Sequence, residues 1–171
     1  YCISLLYGIS AIDTRKLLSV QYSICRTIKR TSRDSNELIS PYLKALHWLP
    51  IKQRIEFKWL VLIYKIVRFG LPPYFSPYFV PFKSNVFTRR SSSDDFYLNR
   101  AILPFSRSQH KSKVQYDCCF YTRGPVMWNH LPYAIRSAPS LSSFRSKLKT
   151  CLFNQAALIR FLADSDRKSV V

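Results

Sequence analysis

The chain has few acidic residues, few glycines and no long apolar run. Its 171 residues include nine Asp and Glu, three Gly and a single Met. A catalytic metal centre needs clustered carboxylates, which nine scattered acids do not offer, and three glycines provide no Gly-rich phosphate-binding loop. The longest apolar run, at 59–64, is far shorter than the roughly 20 residues of a membrane-spanning helix. These absences favour a noncatalytic chain that does not cross a membrane.

Cysteine is also sparse, and its spacing matches no metal-binding motif. No two of the five cysteines are separated as in CxxC, so a zinc ribbon or knuckle is not expected. Cys118 and Cys119 are adjacent, and adjacent cysteines rarely form a disulfide without strain. We therefore expect reduced thiols and an intracellular location, nuclear or cytoplasmic.

Positive charge is what the chain has in abundance. Its 27 Lys and Arg against nine acids give a formal net charge of +18 and a pI near 10.1. Such an excess is typical of proteins that bind polyanions. Nucleic acid is the first candidate partner and an anionic membrane surface is the second. A basic soluble protein without a polyanionic partner is the third.

Apolar periodicity predicts several helices. One is expected over 14–30, with Leu17, Val20, Ile24 and Ile28 on one face. Further helices are expected over 37–46, 50–69 and 140–155, and a helix or broken helix over 118–131. The proline-rich stretch 71–90 is expected to form a short helical turn or packed loop. Loose alternation at 97–104 and 114–118 predicts a short β-hairpin. The expected fold is mainly α, with this hairpin and an irregular region in the middle, and α+β overall.

The helix at 50–69 has the clearest pattern and carries two separate stripes. The apolar stripe is expected to face the core; it consists of Ile51, Ile55, Trp59, Leu62, Ile66 and Phe69. The basic stripe consists of Arg54, Lys58, Lys65 and Arg68. Only Glu56 balances these four charges within the helix. Contact with phosphates and a simple solvated face are both open interpretations of the basic stripe.

Five blocks of sequence resemble one protein family. They are YCISLLYG at 1–8, LHWLPIKQRI at 46–55, GLPPYF at 70–75, GPVMWNHLP at 124–132 and IRSAPSLSSFRSKLKT at 135–150. In this order they resemble the region downstream of the polymerase core in LINE-type (non-LTR) retrotransposon reverse transcriptases of the Jockey and chicken-repeat group. The resemblance covers residues 1–154.

The resemblance implies a carboxy-terminal fragment of such a polymerase. It divides the chain into a thumb-like helical bundle at 1–82, a basic post-thumb region at 83–155 and a frayed tail at 156–171. The fingers and palm, with the aspartates that bind Mg²⁺, lie upstream in the family, so no catalytic residue, metal or cofactor is expected in this chain. The implied partners are RNA or an RNA–DNA duplex and the missing fingers and palm, with no membrane.

Charge and resemblance together predict which residues contact the nucleic-acid backbone. The predicted contact residues are Arg26, Lys29, Arg30, Arg54, Lys58, Lys65, Arg68, Arg89 and Arg90.

Other interpretations stay open at this point. A noncatalytic remnant or stand-alone interaction module from a truncated element would contain the same blocks, with its tryptophans partly exposed. A nuclease would need Asp94 and Asp95 as metal ligands, but the serines before them are typical of a loop. A nucleophilic pair or a zinc site that includes Cys119 and His130 is the weakest alternative, because no acidic residue near either one could orient it.

Overall fold

The computed structural model describes residues 6–30, 40–81, 97–99 and 119–168, with side chains described as far as residue 156. In these residues the chain is mainly helical and contains no strand, which confirms the prediction of a mainly α fold. The elements are α1 (Ala11–Lys29), α2 (Ser40–Ala45), α3 (Ile51–Phe69), a 3₁₀ helix (Pro73–Tyr78), α4 (Phe120–Asn129), α5 (Tyr133–Arg136) and α6 (Leu141–Lys168).

The predicted β-hairpin is not supported. Of its two expected strands, at 97–104 and 114–118, only residues 97–99 are described. There Leu98 forms an isolated antiparallel bridge with Pro81, and the Asn99 amide donates to the Val80 carbonyl at 2.9 Å. Within the described residues, the 97–99 segment therefore pairs with the chain that follows the 3₁₀ helix.

Local capping and breaking signals set the helix ends. α1 begins at Ala11, three residues before the predicted start, because the Ser10 hydroxyl oxygen accepts from the Asp13 amide at 3.1 Å. α3 is followed by Gly70, whose φ of 63° is the left-handed conformation that glycine adopts without strain. α6 continues to Lys168, although the sequence predicted an end at 155 and a frayed tail. Residues 156–168 contain neither Gly nor Pro to stop a helix.

The chain groups into two compact units. One consists of Tyr1–Phe57 and Leu148–Val171, and the other of Lys58–Lys147. The boundaries fall inside α3 and α6. This grouping differs from the predicted division after residues 82 and 155, which followed composition and resemblance, not contacts.

In the first unit, α1 buries a different face from the one that its periodicity predicts. Val20, Ile24 and Ile28 are 59 %, 47 % and 50 % exposed, whereas Gln21 and Cys25 are buried. Each buried residue follows an apolar one by a single position, which corresponds to a rotation of about 100° around the helix axis. The apolar residues do share one face of α1, but that face is largely exposed.

A buried hydrogen bond joins the covered face of α1 to the start of α3. Gln21 Nε2 donates to the Leu49 carbonyl at 2.9 Å, just before α3 begins. Gln21 Oε1 is buried without a hydrogen-bond partner, so the bond satisfies only part of this amide. At the end of α1, Lys29 Nζ lies 5.6 Å from the centroid of the Tyr42 ring in α2. Both contacts connect α1 to the residues that follow it within the first unit.

Aromatic side chains form the core of the second unit. Tyr64 of α3 is fully buried, and its ring stacks on Phe144 of α6 with centroids 4.3 Å apart. The ring centroid of Trp128 in α4 lies 6.5 Å from that of Tyr64 and 5.8 Å from that of Phe144. The Tyr64 hydroxyl donates to the Ala138 carbonyl at 2.9 Å, so the polar end of this buried ring has a partner, as buried tyrosines usually do.

The proline-rich stretch packs against α4 at a glycine. A Cβ placed on Gly124 would lie 3.0 Å from Phe79 Cε1 and 3.3 Å from Ile63 Cδ1, so an added methyl group would require these two side chains to shift. Phe75 and Phe79 also contact the ring of Phe120, with centroids 5.3 Å and 5.1 Å apart. These two rings of the 71–90 stretch are therefore packing residues.

Asn129, at the end of α4, holds the 97–99 segment. Its Oδ1 accepts from the Leu98 amide and its Nδ2 donates to the Leu98 carbonyl, both at 2.9 Å. One side chain thus makes the pair of hydrogen bonds that a neighbouring antiparallel strand would make. This clamp fixes the backbone next to Tyr97.

Candidate nucleic-acid interface

The cations of α3 in the second unit lie on the part of the helix that faces solvent. Lys58 and Arg68 are exposed and Lys65 is half-buried. Lys58 and Lys65 are seven residues apart, which places them within about 20° of each other around the helix, and Arg68 lies about 60° to one side. We call these three residues the α3 strip. The buried residues of α3 in this unit are Trp59, Leu60, Val61, Ile63, Tyr64 and Ile66.

Arg68 is held in place although it is exposed. Its Nη2 donates to the Ala138 carbonyl at 3.2 Å, and its Cζ lies 6.0 Å from the centroid of the Tyr64 ring. These contacts restrict the side chain before any ligand arrives, which lowers the entropy cost of binding. A guanidinium has five N–H donors in a planar fork, so it can bind more than one acceptor at a time.

The other described cations of the predicted site belong to the first unit. Arg54, near the start of α3, is exposed. Arg26, Lys29 and Arg30 stand at the carboxyl end of α1, where the last carbonyls carry partial negative charge. Arg30 has a φ of 54°, and its amide donates to the Arg26 and Thr27 carbonyls. Cations here stabilise the helix end whether or not a nucleic acid is bound.

The predicted site is thus only partly brought together. The α3 strip lies on one helix of one unit, and Arg54 and the cations of α1 lie in the other unit. Arg89 and Arg90 lie outside the described residues, as do Asp94 and Asp95 of the nuclease interpretation.

One buried cation was missing from the predicted site. Arg136, the last residue of α5, is 2 % exposed. Its Cζ lies 3.7 Å from the centroid of the Tyr97 ring, and its Nε and Nη1 have no hydrogen-bond partner within the structure as described. No sequence signal marks this residue, because an arginine between Pro132 and Pro139 is expected at the surface.

Chemically reactive groups do not gather in the described ranges. No three His, Cys, Asp or Glu side chains there are arranged to hold a metal ion. Burial raises the pKa of the Cys25 thiol, partly offset by the charge of Lys29, and burial also raises the pKa of Cys151. A raised pKa disfavours the thiolate, which is the nucleophilic form of cysteine. His130 Nδ1 lies 2.6 Å from the Val126 carbonyl oxygen.

Comparison with known proteins identifies no relative: no family model, no curated protein and no solved structure matches the chain. Among the described helices, none has the length and apolar character needed to cross a membrane. The candidate interface therefore depends on its own residues and their geometry.

Proposed function

We propose that this chain is a nucleic-acid-binding, noncatalytic carboxy-terminal part of a LINE-type reverse transcriptase that grips the backbone of RNA or an RNA–DNA duplex. The observation that carries the proposal is the α3 strip, whose three cations are exposed or half-buried on a helix that buries six other residues in the same unit. The net charge of +18 and the ordered sequence blocks support it. Such a grip depends on phosphate charge and not on base sequence.

The spacing of the α3 strip suits a phosphate backbone. Lys58 and Arg68 are ten residues apart, which is about 15 Å along a helix at 1.5 Å per residue. Successive phosphates of one strand advance by about 3.4 Å along a duplex, so this length spans roughly four of them. Lys58 and Lys65 contribute flexible point charges, and the held guanidinium of Arg68 contributes fixed donors.

The test is the salt dependence of binding to a labelled RNA–DNA duplex, followed by fluorescence anisotropy. If six or more phosphates are contacted, affinity falls about 10³-fold or more between 50 and 200 mM salt. Changing Lys58→Ala and Lys65→Ala together removes two contacts. We expect the slope of log affinity against log salt to fall by about two, and affinity at 0.15 M salt to fall roughly 25-fold.

A charge-matched variant separates this grip from net charge. Lys44→Ala with Lys52→Ala also removes two exposed cations, one of them on α3 but about 120° around the helix from Lys58. We expect its affinity to fall less than about threefold, since it removes no phosphate contact. Equal losses in the two variants would contradict the α3 strip as the contact. Salt-independent binding, or none by the folded chain, would contradict the function itself.

One observation favours the alternative, a noncatalytic remnant or stand-alone interaction module. The apolar stripe of α1 is half exposed at Val20, Ile24 and Ile28, so the isolated chain presents an uncovered hydrophobic face. Light scattering of the isolated chain at rising concentration tests this alternative. Self-association that is abolished when these three residues are changed to Ser, together with no duplex binding, would favour it over the polymerase fragment.

A further inference from the structure

Arg136 is a buried cation that the described fold does not neutralise. It is 2 % exposed, and neither Nε nor Nη1 has a hydrogen-bond partner in the part of the chain that the structure describes. The ring of Tyr97 covers one face of the guanidinium at 3.7 Å. A cation–π contact stabilises the charge but does not satisfy the N–H donors in the guanidinium plane.

Among the residues of the second unit that the structure describes, no carboxylate is available to Arg136. The described residues of the second unit, at 58–81, 97–99 and 119–147, contain no Asp or Glu. A guanidinium keeps its charge in a protein and cannot escape the cost of burial by losing a proton. A buried charge without a partner costs several kcal/mol, and buried charges in folded proteins are paired or ligand-bound.

We propose that Arg136 is the binding residue for a phosphate oxyanion, which approaches in the plane of the guanidinium beside the stacked ring of Tyr97. Phosphate fits this position because guanidinium donors match its oxygens in paired hydrogen bonds. The source of the oxyanion is the backbone of a nucleic acid, so this part of the proposal rests on the proposed function. Nε and Nη1 are shielded from solvent in the free chain, so the oxyanion reaches them only when the side chains around the guanidinium plane shift.

The first arm of the test uses inorganic phosphate and the thermal unfolding of the full chain, with ionic strength kept constant by chloride. The wild-type chain is expected to gain roughly 3–5 °C at a phosphate concentration ten times the Kd. Arg136→Met removes the charge and keeps an apolar stem. Its free chain is expected to unfold at the same temperature as the wild type or higher, because an unpaired buried charge is gone, and phosphate no longer shifts it.

The matched control is Arg145→Met, which removes an exposed cation from α6 and keeps the phosphate shift. A conservative variant, Arg136→Lys, keeps the charge but loses the paired donors, so its phosphate shift is expected to be smaller than that of the wild type. An Arg136→Met chain that fails to fold, or that unfolds several degrees lower, would mean that a carboxylate within the chain pairs with Arg136, and the proposal is overturned. A full phosphate shift in that variant also overturns it.

The second arm uses the RNA–DNA duplex and separates this proposal from the proposed function. Arg136→Met is expected to lower the salt slope by about one and the affinity at 0.15 M salt roughly fivefold, relative to Arg145→Met. If phosphate stabilises the chain through Arg136 but no duplex binds, the proposed function fails. Arg136 is then a binding residue for free phosphate and not for a nucleic-acid backbone. If the duplex binds with the same affinity and slope in both variants, the function stands and Arg136 is not a contact.

Discussion

The carbonyl of Ala138 accepts two hydrogen bonds, and removing them in turn tests how the second unit is held together. The donors are the Tyr64 hydroxyl at 2.9 Å and Arg68 Nη2 at 3.2 Å. Ala138 is itself buried, so water cannot replace a lost donor without rearrangement. The perturbations are Tyr64→Phe, which deletes one oxygen and keeps the ring stacked on Phe144, and Arg68→Met, which deletes the guanidinium and keeps the apolar stem.

The expected costs follow from what each change leaves behind. Tyr64→Phe leaves the carbonyl one donor, and the loss of one neutral hydrogen bond costs about 0.5–1.5 kcal/mol. Arg68→Met is expected to cost less than about 1 kcal/mol, because the Arg68 side chain is exposed and water competes for its donors. The double variant leaves a buried carbonyl with neither donor. Its cost is expected to exceed the sum of the single costs by about 1 kcal/mol, as for residues that share a partner.

Urea unfolding followed by tryptophan fluorescence measures these free energies on the same chain. An additive double variant would refute the reasoning, because two donors to one oxygen must be coupled. So would a cost for Tyr64→Phe below about 0.3 kcal/mol, since that hydroxyl would then contribute nothing net to folding. An unchanged slope of free energy against urea is required for the comparison to hold.

Three further predictions concern single residues. Gly124→Ala is expected to lower the free energy of unfolding by up to about 2 kcal/mol, because crowding of the methyl group 3.0 Å from Phe79 costs about 1–3 kcal/mol and alanine in a helix regains about 1 kcal/mol, and the urea midpoint measures this. His47→Gly is expected to raise it by roughly 0.5–1 kcal/mol in the same assay, because His47 has a φ of 53° that glycine adopts freely. Because the pKa of Cys25 is raised in the folded chain, the buried neutral thiol contributes its full share to the free energy of unfolding below pH 9.0, the ordinary thiol pKa. That contribution is lost as pH rises through the higher pKa of the folded chain. Slow alkylation of Cys25 at pH 8 in the folded chain, and fast alkylation in urea, is the corresponding measurement.

The helix at 50–69 was predictable because its own sequence decides its structure. It begins after Pro50 and ends at Gly70, and Ile55, Trp59 and Ile66 of its predicted apolar stripe are buried. Its periodicity did not reveal that Ile63 and Tyr64 are buried as well, since that requires neighbours on two further sides. Local signals fix where a helix begins and ends, and tertiary contacts fix how much of its circumference is covered.

α1 shows the limit of the same reasoning. Its stripe of Val20, Ile24 and Ile28 has the spacing of a buried face, yet the described fold covers Gln21 and Cys25 instead. An apolar stripe predicts that burial would be favourable, but it does not guarantee that the chain supplies a surface to cover it. The pairing of Gln21 with a carbonyl 28 positions away could not be read from the spacing of apolar residues.

The candidate site was predictable where it depends on helical periodicity and not where it depends on distant contacts. Lys58 is exposed and Lys65 half-buried, as expected for residues outside the apolar stripe. Arg136 contacts Tyr97, whose neighbour Leu98 is bonded to Asn129, and the residues of that clamp are 31 positions apart. Sequence patterns of period two or 3.6 carry no information about such a meeting.

Within the α3 strip, the effect of a substitution on duplex binding can be separated from its effect on folding at some residues but not at others. Lys58 and Lys65 present their charges on the solvent side of the helix, so removing them should change affinity with little effect on folding. Arg68 belongs to both systems, because the guanidinium that would meet a phosphate also bonds to the Ala138 carbonyl that Tyr64 shares. A loss of duplex affinity in an Arg68 variant must therefore be compared with the affinity of Tyr64→Phe. Tyr64→Phe removes the other hydrogen bond to the Ala138 carbonyl but removes no cation. If Tyr64→Phe also weakens duplex binding, the effect of Arg68 is one of folding, and the phosphate grip is left to the two lysines.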